Sequence, residues 1–204
     1  MKAIRIHEFG DADVLQYEDV PDPVAGPGEV VIKVEAIGVN PVETYIRAGI
    51  HAIRPDLPFT PGSDAAGTGL SIGDGVSTHK PGDRVYAAGS VGENAWVDGY
   101  GERLLRRADH FLPLPDNVGF AQGAAIGIPY GTAYRALIQC CGARSGETML
   151  VHGASGAVGT AALQIAAGLG LTTIGTAGSA RGLELVAEHG AANVLDHTQP
   201  GYLN

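Results

Sequence analysis

The chain is poor in the residues that build disulfide frameworks and metal centres. Its two cysteines, Cys140 and Cys141, are adjacent, so they form neither a C-x-x-C redox pair nor a disulfide framework. The seven histidines show no paired spacing such as H-x-x-x-H. The sequence therefore does not indicate a secreted disulfide scaffold, and we expect a reducing, cytoplasmic environment.

Basic residues and long apolar runs are also scarce. Thirteen Lys and Arg stand against 22 Asp and Glu, and this net charge of −9 argues against a general nucleic-acid surface. No apolar run reaches membrane-spanning length, and the start MKAIRI alternates like a strand rather than resembling a signal peptide. A chain of 204 residues can hold one large domain or two small ones.

Glycine, in contrast, is abundant, and the most informative of the 31 glycines lie in VHGASGAVG at residues 151–159. An apolar run at 148–151 precedes this segment, and residues 160–169 have helical character. Strand, glycine turn and helix in that order suit a nucleotide phosphate, because the helix N-terminus offers free N–H groups and a partial positive charge. The spacing is G-x-x-G-x-x-G rather than G-x-G-x-x-G, so a plain strand-to-helix turn is the alternative.

The residues that follow predict a β-α-β-α-β unit, the mononucleotide half of a Rossmann sheet. Residues 171–176 and 193–195 are strand candidates, and residues 181–189 are a helix candidate. NAD-specific sites place Asp or Glu at the end of the second strand, but residues 176–179 read TAGS and Arg181 follows. This neutral pocket with a nearby cation favours NADP(H) over NAD(H). The alternative for Arg181 is a solvated residue at a helix start.

The first 115 residues follow a different pattern. Short strand candidates separated by Pro and Gly predict a small, mostly antiparallel β domain; they lie at residues 2–7, 14–20, 29–38, 84–88 and 102–106. Residues 113–115 mark a crossing out of the β domain. Two helical stretches follow, at 120–126 and 132–139, and Gly127 and Pro129 are expected to separate them. The predicted fold class is α/β, with a β-rich domain over residues 1–117 and a hinge helix plus partial doubly wound domain over 118–204.

Five strings carry a family resemblance over nearly the whole chain: GVNPVETYIR at 38–47, PGSD at 61–64, KPGDRV at 80–85, QGAAIGIPYGTAYRAL at 122–137, and the glycine turn. With them the chain resembles the zinc-independent quinone oxidoreductases of the medium-chain dehydrogenase/reductase superfamily, closest to the ζ-crystallin type. The resemblance implies a GroES-like first domain, a Rossmann second domain and NADPH as cofactor. It also implies a homo-oligomer in full-length members.

The resemblance also bears on metal content. Zinc-dependent members carry Cys where Asn40 stands, and Gly-His-Glu where Gly62, Ser63 and Asp64 stand. Because Asn and Ser are poor zinc ligands, we expect no metal. The expected reaction is then hydride transfer from NADPH to a quinone, an acceptor that delocalises charge. An enoyl or alkenal reductase of the same fold, or a truncated product without activity, are the alternatives.

The resemblance implies a set of site residues. Those expected beside the nicotinamide and acceptor are Asn40, Tyr45 and Thr132, with Tyr45 also touching the cofactor. Those expected to bind the rest of the dinucleotide are Ser155, Gly156, Ala157, Val158, Gly159, Gly178, Arg181 and His197.

The sequence departs from the family in two respects. The family continues well beyond Asn204, so we expect the chain to lack the returning segment of the β domain and the usual dimer surface. Alone, we expect it to be inactive or weakly active and prone to aggregate. Residues 68–70 and 91–107 also differ from the family pattern, with Arg106 and Arg107 where small residues are usual. Loop variation and a damaged sequence are both open as explanations of these differences.

Overall fold

The computed structural model describes residues 1–88 and 98–203. The chain forms two compact units, Met1–Ile128 and Pro129–Asn204. Part of the departure expected at 91–107, residues 91–97, lies outside the described residues. No helix in the described ranges is both long and apolar enough to cross a membrane.

The described part of the first unit contains seven strands in two antiparallel sheets. A five-stranded sheet has the order β6-β3-β4-β5-β7, and a two-stranded sheet pairs β1 with β2. The strands are β1 (Lys2–Arg5), β2 (Gln16–Asp19), β3 (Glu29–Ile37), β4 (Ala65–Ile72), β5 (Arg84–Ala87), β6 (Arg103–Arg107) and β7 (Phe111–Pro113). Short 3-10 turns lie at Ala12–Val14 and Ala108–His110. Ile32, Val85, Leu104 and Phe111 form the centre of the core.

All five predicted strands are present in this unit, but β4 and β7 were not predicted. The sequence of β4, AAGTGLSI, is rich in small residues and so carries a weak strand pattern. Gly67 is required there by close strand contact, since a Cβ at this position would lie 1.9 Å from the backbone oxygen of Lys33. The β7 strand ends at Pro113, the first residue of the predicted crossing at 113–115.

The described residues of the first unit also form the helices α1 (Pro41–Arg47) and α2 (Phe120–Gly123). The residues at the end of α2 pack against the sheet, where Ala124 shares a buried cluster with Ala66 and Leu114. This packing explains why the division between units falls after Ile128, later in the chain than residue 117.

The second unit contains a three-stranded parallel sheet of order β10-β9-β8 with helices between the strands. Its elements are β8 (Thr148–Val151), α4 (Ala157–Leu169), β9 (Thr172–Ala177), α5 (Ala180–Glu188) and β10 (Asn193–Asp196). The predicted β-α-β-α-β order is therefore confirmed, as is the mixed α/β fold class.

A helix at the division between the units, α3 (Gly127–Tyr134), continues as a π-helical segment at Arg135–Cys140. The predicted break between two helical stretches is present, but it lies at residues 124–126, between α2 and α3, whereas Gly127 and Pro129 lie in the first turn of α3. Proline is tolerated there, since the first N–H groups of a helix have no partner within it.

Candidate functional site

The glycine turn of the second unit leads from β8 into α4. Gly153 has φ +63°, a left-handed conformation that favours glycine. A Cβ on Gly159 would lie 2.6 Å from both the Cα of Ala154 and the backbone oxygen of Gly153. Only glycine therefore allows the first turn of α4 to pack this closely on the loop before it.

The residues predicted to hold the pyrophosphate lie together at this turn. Gly156 is the N-cap of α4, and the first N–H groups of the helix, from Ala157 onward, have no intrahelical acceptor. Gly156, Ala157 and Val158 are exposed, and Ser155 is half-buried. The turn thus presents free, accessible donors at the positive end of a thirteen-residue helix.

A hydrogen-bonded chain joins the three carboxyl ends of the strands. The buried Thr176 hydroxyl, near the end of β9, accepts the N–H of Gly153 at 3.2 Å and lies 3.1 Å from Nδ1 of His197, which follows β10. A Cβ on Gly178 would meet Nε2 of the same ring at 2.6 Å. The structure therefore brings Gly178 and His197 together beside the glycine turn, through Thr176, which the sequence reasoning missed.

Arg181 lies in the first turn of α5, and its guanidinium is exposed. It pairs with Glu184 at 3.5 Å and with Glu188 at 3.9 Å. Exposed pairs of this kind contribute little, about 0–1 kcal/mol, so a phosphate could replace them at small cost. Ser179 caps α5 by accepting the N–H of Gly182 at 3.1 Å.

The shape of this edge fits a dinucleotide. Gly153, in a left-handed conformation, begins the turn, and Gly159, which has no space for a Cβ, closes it. Gly182 of α5 lies against the turn, because a Cβ there would be 3.1 Å from Oγ of Ser155. Among residues 176–179, no carboxylate stands at the end of β9. The edge could therefore accept an adenosine ribose with or without a 2′-phosphate.

A second candidate region lies in the first unit around Asn40, which is 6% exposed. Asn40 precedes α1 and its N–H donates to the Glu43 carboxylate at 2.7 Å, while Nδ2 donates to Asp64 at 3.0 Å and to Glu43 at 3.5 Å. Both amide hydrogens thus point to buried carboxylates. The N-x-x-E spacing, typical of a helix start, could have revealed Glu43 from the sequence.

Glu43 is the centre of this polar cluster. Besides Asn40, it accepts the N–H of Ser63 at 2.8 Å and the hydroxyl of Tyr100 at 2.7 Å. Burial, and next the hydrogen bond to Glu43, raises the pKa of the Tyr100 hydroxyl, so that it remains a donor. The carboxylate is 3% exposed and links α1 to the two segments that carry Ser63 and Tyr100.

Asp64 forms the other side of the cluster. Its carboxylate accepts the N–H of Ile128 at 3.0 Å. Burial raises the pKa of Asp64 above its ordinary value, and the hydrogen bonds from Asn40 and Ile128 oppose that shift. Together, Glu43 and Asp64 hold the Asn40 side chain in one orientation.

The other predicted residues are accessible. Tyr45, on α1, is 49% exposed, so it does not pack in the core. Thr132 is exposed on α3, in the second unit, and not at its first residue as expected. In the described ranges, no three His, Cys, Asp or Glu side chains cluster as a metal site.

Comparisons with known proteins agree with this architecture. Residues 26–116 match the alcohol dehydrogenase GroES-like domain. Mouse quinone oxidoreductase is 51% identical over the whole chain, which spans 60% of the mouse protein. A probable oxidoreductase from Mycobacterium abscessus superposes with a TM-score of 0.88 at 37% identity, covering 99% of this chain and 63% of that one.

The quinone oxidoreductase of Escherichia coli, solved in complex with NADPH, superposes with a TM-score of 0.83 at 34% identity. The match covers 98% of this chain and 59% of the E. coli chain. The chain thus spans about 60% of the length of these relatives, and over its whole length it is similar to quinone oxidoreductases, with the GroES-like match at residues 26–116.

Proposed function

We propose that this chain carries the cofactor-binding turn and site residues of a zinc-independent, NADPH-dependent quinone oxidoreductase. The observation that supports this most is the glycine turn, whose accessible N–H groups lie beside a strand end without a carboxylate. The E. coli relative that contains NADPH supports the same cofactor. When bound, NADPH supplies the hydride that reduces the acceptor.

The residues of the second unit bind and orient the dinucleotide. The N–H groups at Ala157 and Val158 hydrogen-bond the pyrophosphate, with Ser155, Gly156 and Gly159 shaping the turn around it. Gly178 and His197 adjoin the adenosine ribose. Arg181 exchanges its exposed glutamate partners for the 2′-phosphate.

Three further residues act at the reacting end. Tyr45 has an exposed ring and donates its hydroxyl hydrogen to the acceptor oxygen or to the cofactor. Thr132 contacts the nicotinamide. Asn40 has both amide hydrogens committed to carboxylates, so its carbonyl oxygen is the group that it presents, as an acceptor of hydrogen bonds.

The reaction itself is tested with the protein that contains this chain, not with the 204 residues alone. NADPH oxidation is followed with a simple benzoquinone and, separately, with a conjugated enal. We expect faster turnover with the quinone. A clear preference for the enal would instead establish an alkenal reductase, and turnover of neither would indicate a non-catalytic product.

Cofactor choice gives a prediction for the 204-residue chain. NADPH is expected to bind at least about tenfold more tightly than NADH, because a charged contact to the 2′-phosphate is worth on the order of 1.5–3 kcal/mol. In the protein that contains this chain, Arg181→Ala should weaken NADPH binding and leave NADH binding nearly unchanged. Fluorescence titration with both cofactors measures this, and equal affinities in the unchanged chain would contradict the assignment.

Metal content gives a second prediction. Asn40 and Ser63 stand where zinc-dependent relatives have ligands, so the purified protein should contain no stoichiometric zinc. Elemental analysis before and after chelator treatment measures it, with the unfolding temperature as a second readout. One tightly held zinc per chain, or a loss of stability in chelator, would overturn this part of the proposal.

The free state of Cys140 and Cys141, both exposed, supports a reducing compartment, and we propose the cytoplasm. The proposed partner is a small quinone or enone. We keep homo-oligomerisation as a proposal for the protein that contains this chain, following its family.

A further inference from the structure

Arg106 is a charged residue in a core position of the first unit. It lies on β6, opposite Val30 in the pairing with β3, and it shares the buried face of the strand with Leu104. The residue is 5% exposed, whereas the next residue, Arg107, is exposed and pairs with Asp109 at 3.0 Å. A buried guanidinium is costly unless negative groups compensate it.

The compensating charges include Asp98 and two carboxylates of the polar cluster around Asn40, Asp64 and Glu43. The Arg106 guanidinium lies 3.4 Å from the backbone oxygen of Gly62, the residue before Ser63. Burial lowers the pKa of Arg106, and the negative charges of Asp98, Asp64 and Glu43 oppose that shift. The same cation in turn opposes the rise that burial causes in the pKa of Asp64.

The charge balance explains why two carboxylates can be buried so close together. Glu43 and Asp64 are each 3% exposed, and both accept hydrogen bonds from one side chain, Asn40. Without a cation, two such carboxylates repel each other and one tends to take up a proton. A protonated carboxyl would become a donor and would no longer accept every hydrogen bond that now fixes Asn40.

We propose that Arg106 is a positioning residue that acts through Glu43 and Asp64. Its guanidinium supplies the buried positive charge against which these carboxylates hold the Asn40 amide and the Ser63 backbone in place. The inference rests on the proposed function only in taking Asn40 as an active-site residue. It also gives a structural role to one of the two arginines that depart from the family pattern.

The test uses the protein that contains this chain, with three variants. Arg106→Met removes the charge but keeps much of the apolar stem, Arg106→Lys keeps the charge, and Arg107→Met is the matched control on the exposed face. The side-chain amide signals of Asn40 in a proton–nitrogen NMR spectrum report the positioning directly. Thermal unfolding reports the stability, and neither readout depends on cofactor or substrate.

Arg106→Met is expected to shift or broaden the Asn40 amide signals and to lower the unfolding temperature by roughly 6–20 °C, the size expected for breaking a buried charge arrangement. Arg106→Lys should retain much of the original Asn40 signal positions and unfolding temperature. Arg107→Met should change neither the signals nor the temperature. Unchanged Asn40 signals in Arg106→Met would overturn the proposal, as would a lysine variant as impaired as the methionine variant.

A double variant decides the matter if Arg106→Met does not fold. Adding Asp64→Asn removes one negative charge, so Arg106→Met with Asp64→Asn should be more stable than Arg106→Met alone. If Arg106 only fills space, the second change adds its own loss. A double variant that is no more stable than the single variant, or that also fails to fold, would therefore refute the charge-balance role.

Discussion

Gly159→Val is expected to weaken dinucleotide binding strongly. The added Cβ would lie 2.6 Å from backbone atoms of Gly153 and Ala154, so the start of α4 must move away from the turn. The N–H groups that face the pyrophosphate then lose their alignment. Losing two charge-assisted hydrogen bonds weakens NADPH binding by at least about 100-fold.

The matched control lies in the same helix. Gly168 has open space where a Cβ would be, so Gly168→Ala should leave binding unchanged and stabilise the helix by about 0.5–1 kcal/mol. Calorimetric titration with NADPH measures the binding, and urea unfolding measures the stability. A Gly159→Val chain that binds NADPH as tightly as the Gly168→Ala chain would show that the turn does not form the site.

Loss of the Glu43 carboxylate is expected to lower stability substantially. In Glu43→Ala, the N–H groups of Asn40 and Ser63 and the Tyr100 hydroxyl lose a buried acceptor. Each unsatisfied donor costs about 1–3 kcal/mol. Because water that enters the site satisfies some of these donors, the free energy of unfolding should fall by about 3 kcal/mol.

The control for this substitution is Glu35→Ala. Glu35 is an exposed residue of β3 whose carboxylate pairs with Lys33 at 2.8 Å. Its loss should change the free energy of unfolding by no more than about 0.5 kcal/mol. Equal losses from the two substitutions, measured by urea unfolding, would mean that the hydrogen bonds to Glu43 contribute nothing beyond an ordinary surface charge.

The sequence predicted the second unit well because its signals are local. Apolar β-branched strands, a glycine turn and a glycine after α5 each mark an element within a few residues. The family resemblance implied Gly178 and His197 as adenosine-side residues, and they lie beside the turn because parallel strands place their carboxyl ends at one edge of the sheet. Thr176 was missed because a buried threonine in a strand is ordinary unless its partners are visible.

The first unit was harder to predict because its decisive contacts are distant in sequence. The small residues of β4 carry no strand pattern, and the strand forms because Gly67 allows close approach to β3. The buried cluster joins Asn40 to Asp64 and Tyr100 to Glu43 across separate segments. Arg106 was recognised only as an unusual residue, since no local pattern shows that its side chain is buried.

The most direct measurement follows the backbone amide signals of the protein that contains this chain in a proton–nitrogen NMR spectrum while NADPH is added. We expect the largest shifts at Ser155, Gly156, Ala157 and Val158, with further shifts at Gly178, Arg181 and His197 that are smaller or absent with NADH. Shifts confined to other parts of the chain, or none at saturating NADPH, would contradict the assignment of the glycine turn as the cofactor site.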